Sequence, residues 1–175
     1  MIIPRLVISG STSGVGKTSI TSAIIYGLKK RGYTIQPFKV GPDYIDPSYL
    51  SSISNNETKN LDVWLMGFSE LVTSFVRSST SDISIIEGVM GYYDGFDGKT
   101  NYASTHHVAT LLQTPVILIL DASKTSRSIA ATALGFTRFH RNSRIAGIIL
   151  NKIGSKKHET LCRHALENLK IPIIG

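Results

Sequence analysis

Short apolar runs alternate along the chain with longer stretches in which apolar residues recur every three or four positions. The runs 116–120 and 145–150 are unbroken, which is typical of strands buried on both faces of a parallel sheet. Residues 17–31 have helical spacing, and Gly32 follows as an expected C-terminal cap. The pattern predicts strands at 2–9, 34–40, 82–87, 115–121, 144–151 and 171–174, and helices at 17–31, 68–78, 103–113, 126–138 and 157–169.

Strands that alternate with helices predict an α/β fold, with a parallel sheet covered by helices on both faces. Two segments, 41–60 and 88–100, are rich in Gly, Asp, Ser and Asn, so we expect them to be loops. The length of 175 residues suits one domain. We therefore predict a single α/β domain over residues 1–175.

Composition narrows the class of protein. Hydrophobic residues make up 42% of the chain, an ordinary value for an ordered globular domain. No apolar run approaches the roughly 20 residues that cross a bilayer, so no membrane partner is expected. The single cysteine, Cys162, fits a reducing compartment, and the chain opens directly into a strand without a signal peptide. These features predict a cytoplasmic protein.

The formal net charge of +7 suits either a polyanionic small molecule or nucleic acid. The basic residues form only small clusters, and they do not interleave with aromatic residues as in a single-strand binding surface. We therefore expect a small-molecule partner and no nucleic acid.

Polar segments follow four of the predicted strands. Ligands of parallel α/β sheets bind beyond the C-terminal ends of the strands. The segments 10–18, 40–49, 87–95 and 121–127 all begin at such ends, so we expect one site at one edge of the sheet.

Residues 11–18, STSGVGKT, follow a strand and open a helix, which is the context of a phosphate-binding P-loop. Backbone N–H groups of such a loop point at phosphates, the lysine neutralises the outer phosphates, and the threonine hydroxyl binds Mg²⁺. We predict ATP and Mg²⁺ as cofactors. The predicted nucleotide-binding residues of this loop are Thr12, Ser13, Gly14, Val15, Gly16, Lys17 and Thr18.

The P-loop departs from the common pattern in one position, because Ser11 replaces the usual first glycine and Gly10 lies one residue earlier. This spacing resembles the dethiobiotin synthetase branch of P-loop proteins. Partition and septum-site ATPases have a second lysine five residues before the loop lysine. That position is Thr12 here, which argues against them.

Longer motifs strengthen the resemblance to one family. They are FKVGPDYIDP at 38–47, NLDVWLM at 60–66, EGVMGYYDG at 87–95, DASKTSRSIAA at 121–131 and GIILN at 147–151. In this order they resemble the N-terminal synthetase domain of the cobyrinic acid a,c-diamide synthase family, over essentially the whole chain. The resemblance implies amidation of the a and c acetate side chains of a corrinoid, with ATP, Mg²⁺ and glutamine-derived ammonia.

The charged residues of these motifs suit that chemistry. Lys17 and Lys39 are expected to neutralise two sides of the γ-phosphate, and both are predicted to be catalytic. Asp43 and Glu87 are predicted Mg²⁺ ligands together with Thr18.

Two further carboxylates, Asp46 and Asp94, are predicted catalytic residues that orient the substrate or accept a proton. Any of the loop carboxylates could instead cap a turn. The resemblance also implies that Asn151 reads the adenine edge. Trp64 is expected to be a packing residue. Ser104, His106 and His107 could contact substrate carboxylates. Helix capping by Ser104 is the alternative, and both stay open.

The family's full chain includes a C-terminal glutaminase domain, which these 175 residues do not contain. We therefore expect ammonia from a glutaminase domain or subunit, and a homodimer is a further candidate assembly. Two other functions stay open: amidation of nickel-sirohydrochlorin by a near relative, and a partition-type switch ATPase.

Overall fold

The centre of the fold is a six-stranded sheet in which every strand pair is parallel. The computed structural model describes residues 3–175, so the predicted strand start at Ile2 lies outside the described residues. The strands are β1 (Arg5–Gly10), β2 (Ile35–Val40), β3 (Lys59–Leu61), β4 (Ile83–Glu87), β5 (Val116–Asp121) and β6 (Ile145–Asn151). Their order across the sheet is β3-β2-β4-β1-β5-β6, so β4 lies between β1 and β2.

Helices cover both faces of this sheet, as predicted. They are α1 (Lys17–Lys30), α2 (Asp46–Ser54), α3 (Val63–Ser78), α4 (Thr105–Leu111), α5 (Ser128–Arg138) and α6 (Lys156–Leu166). Successive residues of β5 point to opposite faces: Ile117 and Ile119 pack with α1 and α2, whereas Leu118 packs with α3 to α6. Within residues 3–175, none of the helices has the length and apolar character needed to cross a membrane.

Helix α1 ends where the sequence predicts. Gly32 has φ +89°, and its N–H donates to the carbonyl of Lys29. The N–H of Tyr33 reaches back to Leu28. This pair of bonds is a Schellman motif, which needs the left-handed backbone that glycine adopts without strain.

The predicted loop at 41–60 is wrong, because it contains helix α2 and strand β3. Pro47 stands in the first turn of α2, where its missing N–H is not needed. Leu50 is fully buried, and Ile53 packs against the same apolar cluster. The serines and asparagines around these two residues concealed a short amphipathic helix. β3 then pairs with residues 38–40 of β2.

The predicted helix at 68–78 is only the second part of α3. The helix begins at Val63, where Asp62 caps the backbone N–H groups of Trp64 and Leu65. Gly67 then interrupts it with φ 74° and ψ 173°, a conformation that is open essentially to glycine alone.

The predicted strand at 171–174 is reduced to a single bridge. Ile173 pairs in parallel with Ile148 of β6. Pro172 accepts a hydrogen bond from the N–H of Ile148 but has no N–H to return, which limits the pairing.

Candidate active site

A cleft of about 430 Å³ opens at the C-terminal edge of the sheet, between the strand ends and α1. Its walls come from residues 13–19, from 39–46 and from 89–90. Three of the four polar segments therefore meet as predicted. The fourth segment, 121–127, does not line this cleft.

The phosphate loop has the backbone geometry of an anion site. Gly14 and Gly16 have φ values of +74° and +95°, which disfavour any side chain. Gly16 precedes α1 without a side-chain cap, so the N–H groups of the first helical turn are left for a ligand. A Cβ atom at Gly16 would also collide with the amide of Asn151. These features fit bound phosphate oxygens.

Lys17 lies at the bottom of the cleft and is only 8% exposed. Its Nζ donates to the carbonyl oxygens of Thr12 (3.1 Å) and Met90 (2.6 Å). Burial, followed by the charge of Lys39, lowers the pKa of Lys17 below its usual value. Because its two hydrogen-bonding partners are neutral, the ammonium charge stays available to an anion.

Lys39 is surrounded by three carboxylates. Its Nζ lies 2.6 Å from Oδ2 of Asp46, 2.7 Å from Oε1 of Glu87 and 3.4 Å from Oδ2 of Asp43. Burial alone lowers the pKa of Lys39, but the charge of Glu87 and the hydrogen bonds to Asp46 and Glu87 raise it above its usual value. The ammonium is thus committed to carboxylates, and its predicted contact with the γ-phosphate stays a prediction.

Glu87 connects this cluster to the phosphate loop. The hydroxyl of Thr18 donates to Oε1 of Glu87 at 2.9 Å, and Glu87 is fully buried. Oε2 of Glu87 has no hydrogen-bond partner among the described residues. A buried carboxylate oxygen without a partner is costly, so a cation beside it would be favourable.

The donor set fits Mg²⁺ only together with a nucleotide. Within residues 3–175, no group of three or more His, Cys, Asp or Glu side chains is arranged to hold a metal by itself. Mg²⁺ in nucleotide sites usually takes one or two carboxylates and completes its shell with phosphate oxygens and water. Thr18 and Glu87 match that requirement.

Two predicted site carboxylates, Asp43 and Asp94, make turn contacts. Oδ1 of Asp43 accepts from the N–H groups of Ile45 (2.9 Å) and Asp46 (3.3 Å). Oδ2 of Asp94 accepts from the N–H of Gly91 at 2.9 Å, and Asp94 does not line the phosphate cleft. Turn capping, the alternative left open by the sequence, accounts for the contact of Asp94, whereas Asp43 also pairs with Lys39 and lines the phosphate cleft. The metal-binding role of Asp43 and the catalytic role of Asp94 stay predictions.

Asn151 lies at the end of β6 and bonds to the phosphate loop from across the sheet. Its Nδ2 donates to the carbonyl oxygen of Val15 at 2.8 Å. The amide nitrogen is thus occupied in bracing the loop. Adenine recognition by this side chain stays a prediction.

Sequence reasoning missed the role of Asn60. From β3, its Nδ2 donates to the carbonyl oxygens of Gly41 (2.8 Å) and Asp43 (2.7 Å), so it fixes the loop that presents Asp43 and Asp46. No local pattern reveals this contact, because Asn60 lies 19 and 17 positions from its two partners and the segment that contains it was predicted to be a loop.

Trp64 packs against another aromatic ring, but it does so at the surface. It is 60% exposed, and its ring stacks on Phe96 with centroids 6.3 Å apart and an interplanar angle of 23°. Short motifs in the sequence do not reveal such a pair, because the two residues are aromatic and lie 32 positions apart.

Of the two alternatives for residues 104–107, substrate contact and helix capping, the structure contains the helix cap. Oγ of Ser104 accepts from the N–H of His107 at 3.1 Å. His106 is 3% exposed, and both its ring nitrogens lack partners among the described residues. Burial, with nearby His140 and His107, lowers the pKa of His106 to about 4, so this ring is neutral near pH 7. Such a ring is poorly suited to bind a carboxylate.

Comparison with known proteins supports the fold. Chloroplast FtsY from Physcomitrella patens superposes with a TM-score of 0.67 at 18% identity, covering 99% of this chain and 58% of that one. The signal recognition particle 54 kDa protein of Aeropyrum pernix, in complex with GDP, gives a TM-score of 0.58 at 16% identity, covering 98% and 41%. These similarities extend to the P-loop α/β fold.

Relatives found by sequence share a higher identity with this chain than these structures do. The cobyrinate a,c-diamide synthase of a Synechococcus species is 46% identical over 171 residues, which are 97% of this chain and 38% of the relative. The hydrogenobyrinate a,c-diamide synthase of Streptomyces coelicolor is 44% identical, with 99% and 36% covered. The chain therefore spans somewhat more than a third of the length of these relatives.

The family profile described as the CobQ/CobB/MinD/ParA nucleotide binding domain matches residues 6–175. The match covers both the phosphate loop and the strand that ends at Asn151. This chain belongs to the CobQ/CobB/MinD/ParA nucleotide binding domain family.

Proposed function

We propose that this chain is an ATP-dependent amidoligase domain that converts the a and c acetate carboxylates of cobyrinate, or of a closely similar corrinoid, to amides. The names of the two sequence relatives support this substrate class. Because the chain spans under two fifths of their length, the reaction of the whole protein is part of the proposal.

One observation carries the proposal: the phosphate loop shares a single cleft with Lys39 and Asp46, and the buried Glu87 bonds to both Lys39 and Thr18. A carboxylate reacts poorly with ammonia because hydroxide is a poor leaving group. Bound ATP supplies a phosphoryl group that turns the departing oxygen into a good leaving group. Such a transfer needs positioned charges more than covalent help from the protein.

The residues of the chain then have separate tasks. Lys17 and the first-turn N–H groups of α1 bind the phosphates. Thr18 and Glu87 would hold Mg²⁺, and the buried Oε2 of Glu87, which has no hydrogen-bond partner among the described residues, would be stabilised by such a cation. Lys39 acts as a positioning residue, because it fixes both Glu87 and Asp46.

Asp46 is the carboxylate best placed to act on the incoming ammonia. Lys39 fixes it through Oδ2, yet the side chain is 29% exposed toward the cleft. A carboxylate in that position can accept the proton that ammonia loses as the amide forms. We propose that the ammonia comes from a glutaminase domain or subunit outside these residues.

Other functions are less well supported. The relatives are named for cobyrinate and hydrogenobyrinate, which favours a corrinoid over nickel-sirohydrochlorin. A partition-type switch ATPase would have a lysine at position 12, where this chain has Thr12. Thr12 is exposed, and its contact with Lys17 is made by the backbone carbonyl and not by the side chain.

Mass spectrometry of cobyrinic acid tests the proposal. After incubation with the protein, ATP, Mg²⁺ and an ammonium salt, we expect the small mass loss of replacing a carboxyl hydroxyl with an amino group. Lys17→Ala should lower the rate by roughly 100-fold or more, as loss of a charge-stabilising group does. Lys30→Ala, an exposed lysine at the end of α1, is the matched control. Absence of product from a folded sample that binds ATP would leave only the nucleotide site standing.

A further inference from the structure

A second cleft, of about 260 Å³, lies beside the phosphate cleft and has mainly apolar walls. Trp64 and Phe96 form much of it, and both are unusually exposed for aromatic residues, at 60% and 65%. Their stacked rings present one broad apolar surface. The remaining wall residues are Pro42, Asp62, Met90, Gly95 and Ala103.

The two clefts are adjacent, because Met90 lines both. Its carbonyl oxygen holds the ammonium of Lys17, while the residue is 43% exposed. Pro42 on the second cleft is followed directly by Asp43 on the first. A molecule seated on the aromatic pair can therefore extend into the phosphate cleft.

The backbone on both sides of the aromatic pair is fixed. Asp62 accepts from the N–H groups of Trp64 (2.8 Å) and Leu65 (3.1 Å), which holds the first turn of α3. The N–H of Phe96 donates to the carbonyl oxygen of Tyr102 at 2.9 Å, and the Tyr102 ring meets Phe96 edge-on. The rings are thus exposed but preorganised, which is typical of binding surfaces rather than of stray surface residues.

The acidic residue that lines the second cleft is shielded. Asp62 is the acidic residue of the second cleft, and it is 6% exposed with its carboxylate used in helix capping. A substrate with several carboxylates would therefore meet little repulsion from Asp62.

We propose that Trp64 and Phe96 support the broad apolar face of the tetrapyrrole substrate, so that its acetate groups pass Met90 and reach the phosphate cleft. This inference rests on the proposed function. The macrocycle is wide and mainly apolar across its face, with its carboxylates at the rim. Aromatic rings beside a polar cleft complement that distribution.

Steady-state kinetics with cobyrinic acid tests the inference. We expect Phe96→Ala and Trp64→Leu to raise the KM for cobyrinic acid roughly tenfold, the size of effect that one lost aromatic contact produces, and to leave the KM for ATP unchanged. Trp64→Phe, which keeps a ring, should stay close to the original protein. Phe139→Ala is the matched control, because Phe139 is 73% exposed but lies in a separate apolar cleft with Tyr93 and Phe136.

Equilibrium dialysis against cobyrinic acid distinguishes failure of the proposed function from failure of this inference. If the original protein neither binds nor amidates it, the proposed function falls, and this inference falls with it. If the original protein is active and both variants keep its KM, only the aromatic surface is wrongly assigned. A dimer in sedimentation velocity that Phe96→Ala dissociates, with an unchanged KM, would assign the surface to self-association and overturn the inference.

Discussion

The ammonium of Lys39 lies 2.7 Å from Oε1 of Glu87, and these two buried residues are register partners on the neighbouring strands β2 and β4. The same oxygen accepts the hydroxyl of Thr18 from the first turn of α1. One carboxylate oxygen therefore joins two strands and the phosphate-loop helix. Because these contacts are buried, the cluster affects both the stability of the fold and the geometry of the cleft.

Lys39→Met should destabilise the protein strongly. It keeps an unbranched side chain but leaves Glu87 buried without its cation, and removing one partner of a buried pair costs about 3–5 kcal/mol. Urea unfolding measures the loss. Lys59→Met is the control, because the Lys59–Glu57 pair is exposed and such pairs contribute at most about 1 kcal/mol. Equal midpoints for the two variants would contradict the buried-pair argument.

Asn60→Ala should reduce substrate-dependent ATP turnover beyond its effect on stability. Two hydrogen bonds to the 41–43 backbone are lost, at about 1 kcal/mol each, and the loop that presents Asp46 loosens. Asn56→Ala is a close match, since its amide donates to Ile35 and Ser81 at the opposite end of β2. We expect both variants to be destabilised to a similar extent and only Asn60→Ala to lose turnover. Equal turnover in the two variants would show that Asn60 has a structural role alone.

Substitutions of Asn151 separate loop bracing from base recognition. Asn151→Ala should relax the preference for ATP over GTP, because lost base-edge hydrogen bonds cost on the order of 1–3 kcal/mol. Asn151→Asp loses the bond to Val15 but keeps an acceptor oxygen for the adenine amino group. Competition binding of ATP and GTP measures the preference. An unchanged preference in Asn151→Ala would limit the residue to bracing the loop.

The buried His106 predicts a loss of stability in acid. Its pKa is about 4 in the folded state, against about 6.5 for a free histidine, so the unfolded chain binds the extra proton first. The stability contribution of the neutral ring is complete above pH 6.5 and declines as the pH falls from 6.5 toward 4.

Unfolding curves across that window test the assignment to His106. The groups around its ring are His107, His140, Tyr92 and Tyr93. His106→Phe should flatten the pH dependence, even if it changes the absolute stability. His164→Gln, an exposed histidine, should keep the original slope. The same slope in all three proteins would show that other groups cause the acid loss.

Sequence patterns predicted those features that are encoded locally. The phosphate loop is a contiguous segment with a required strand and helix around it, and the apolar runs at 116–120 and 145–150 have few alternatives to buried strands. Helix α2 was missed because its apolar positions are few, and the surrounding serines and asparagines resemble a loop.

The partners of Lys39 show where sequence reasoning stops. Its position after a strand suggested a phosphate contact. The structure places Glu87 beside it, because β4 lies between β1 and β2, and the phosphate contact stays a prediction. Strand order is set by packing of the whole chain, so spacing along the sequence does not determine which carboxylate neighbours the lysine.

The bond from Asn151 to Val15 spans 136 positions of the chain. Contacts between residues so distant in sequence require closure of a long chain loop, which costs entropy and slows their formation. The phosphate loop lies near the N-terminus, but its hydrogen bond to Asn151 can form only after β6 has docked at the edge of the sheet. We therefore expect a chain that ends before β6 to expose an incomplete nucleotide site during synthesis, and ATP binding to report that the sheet has finished assembling.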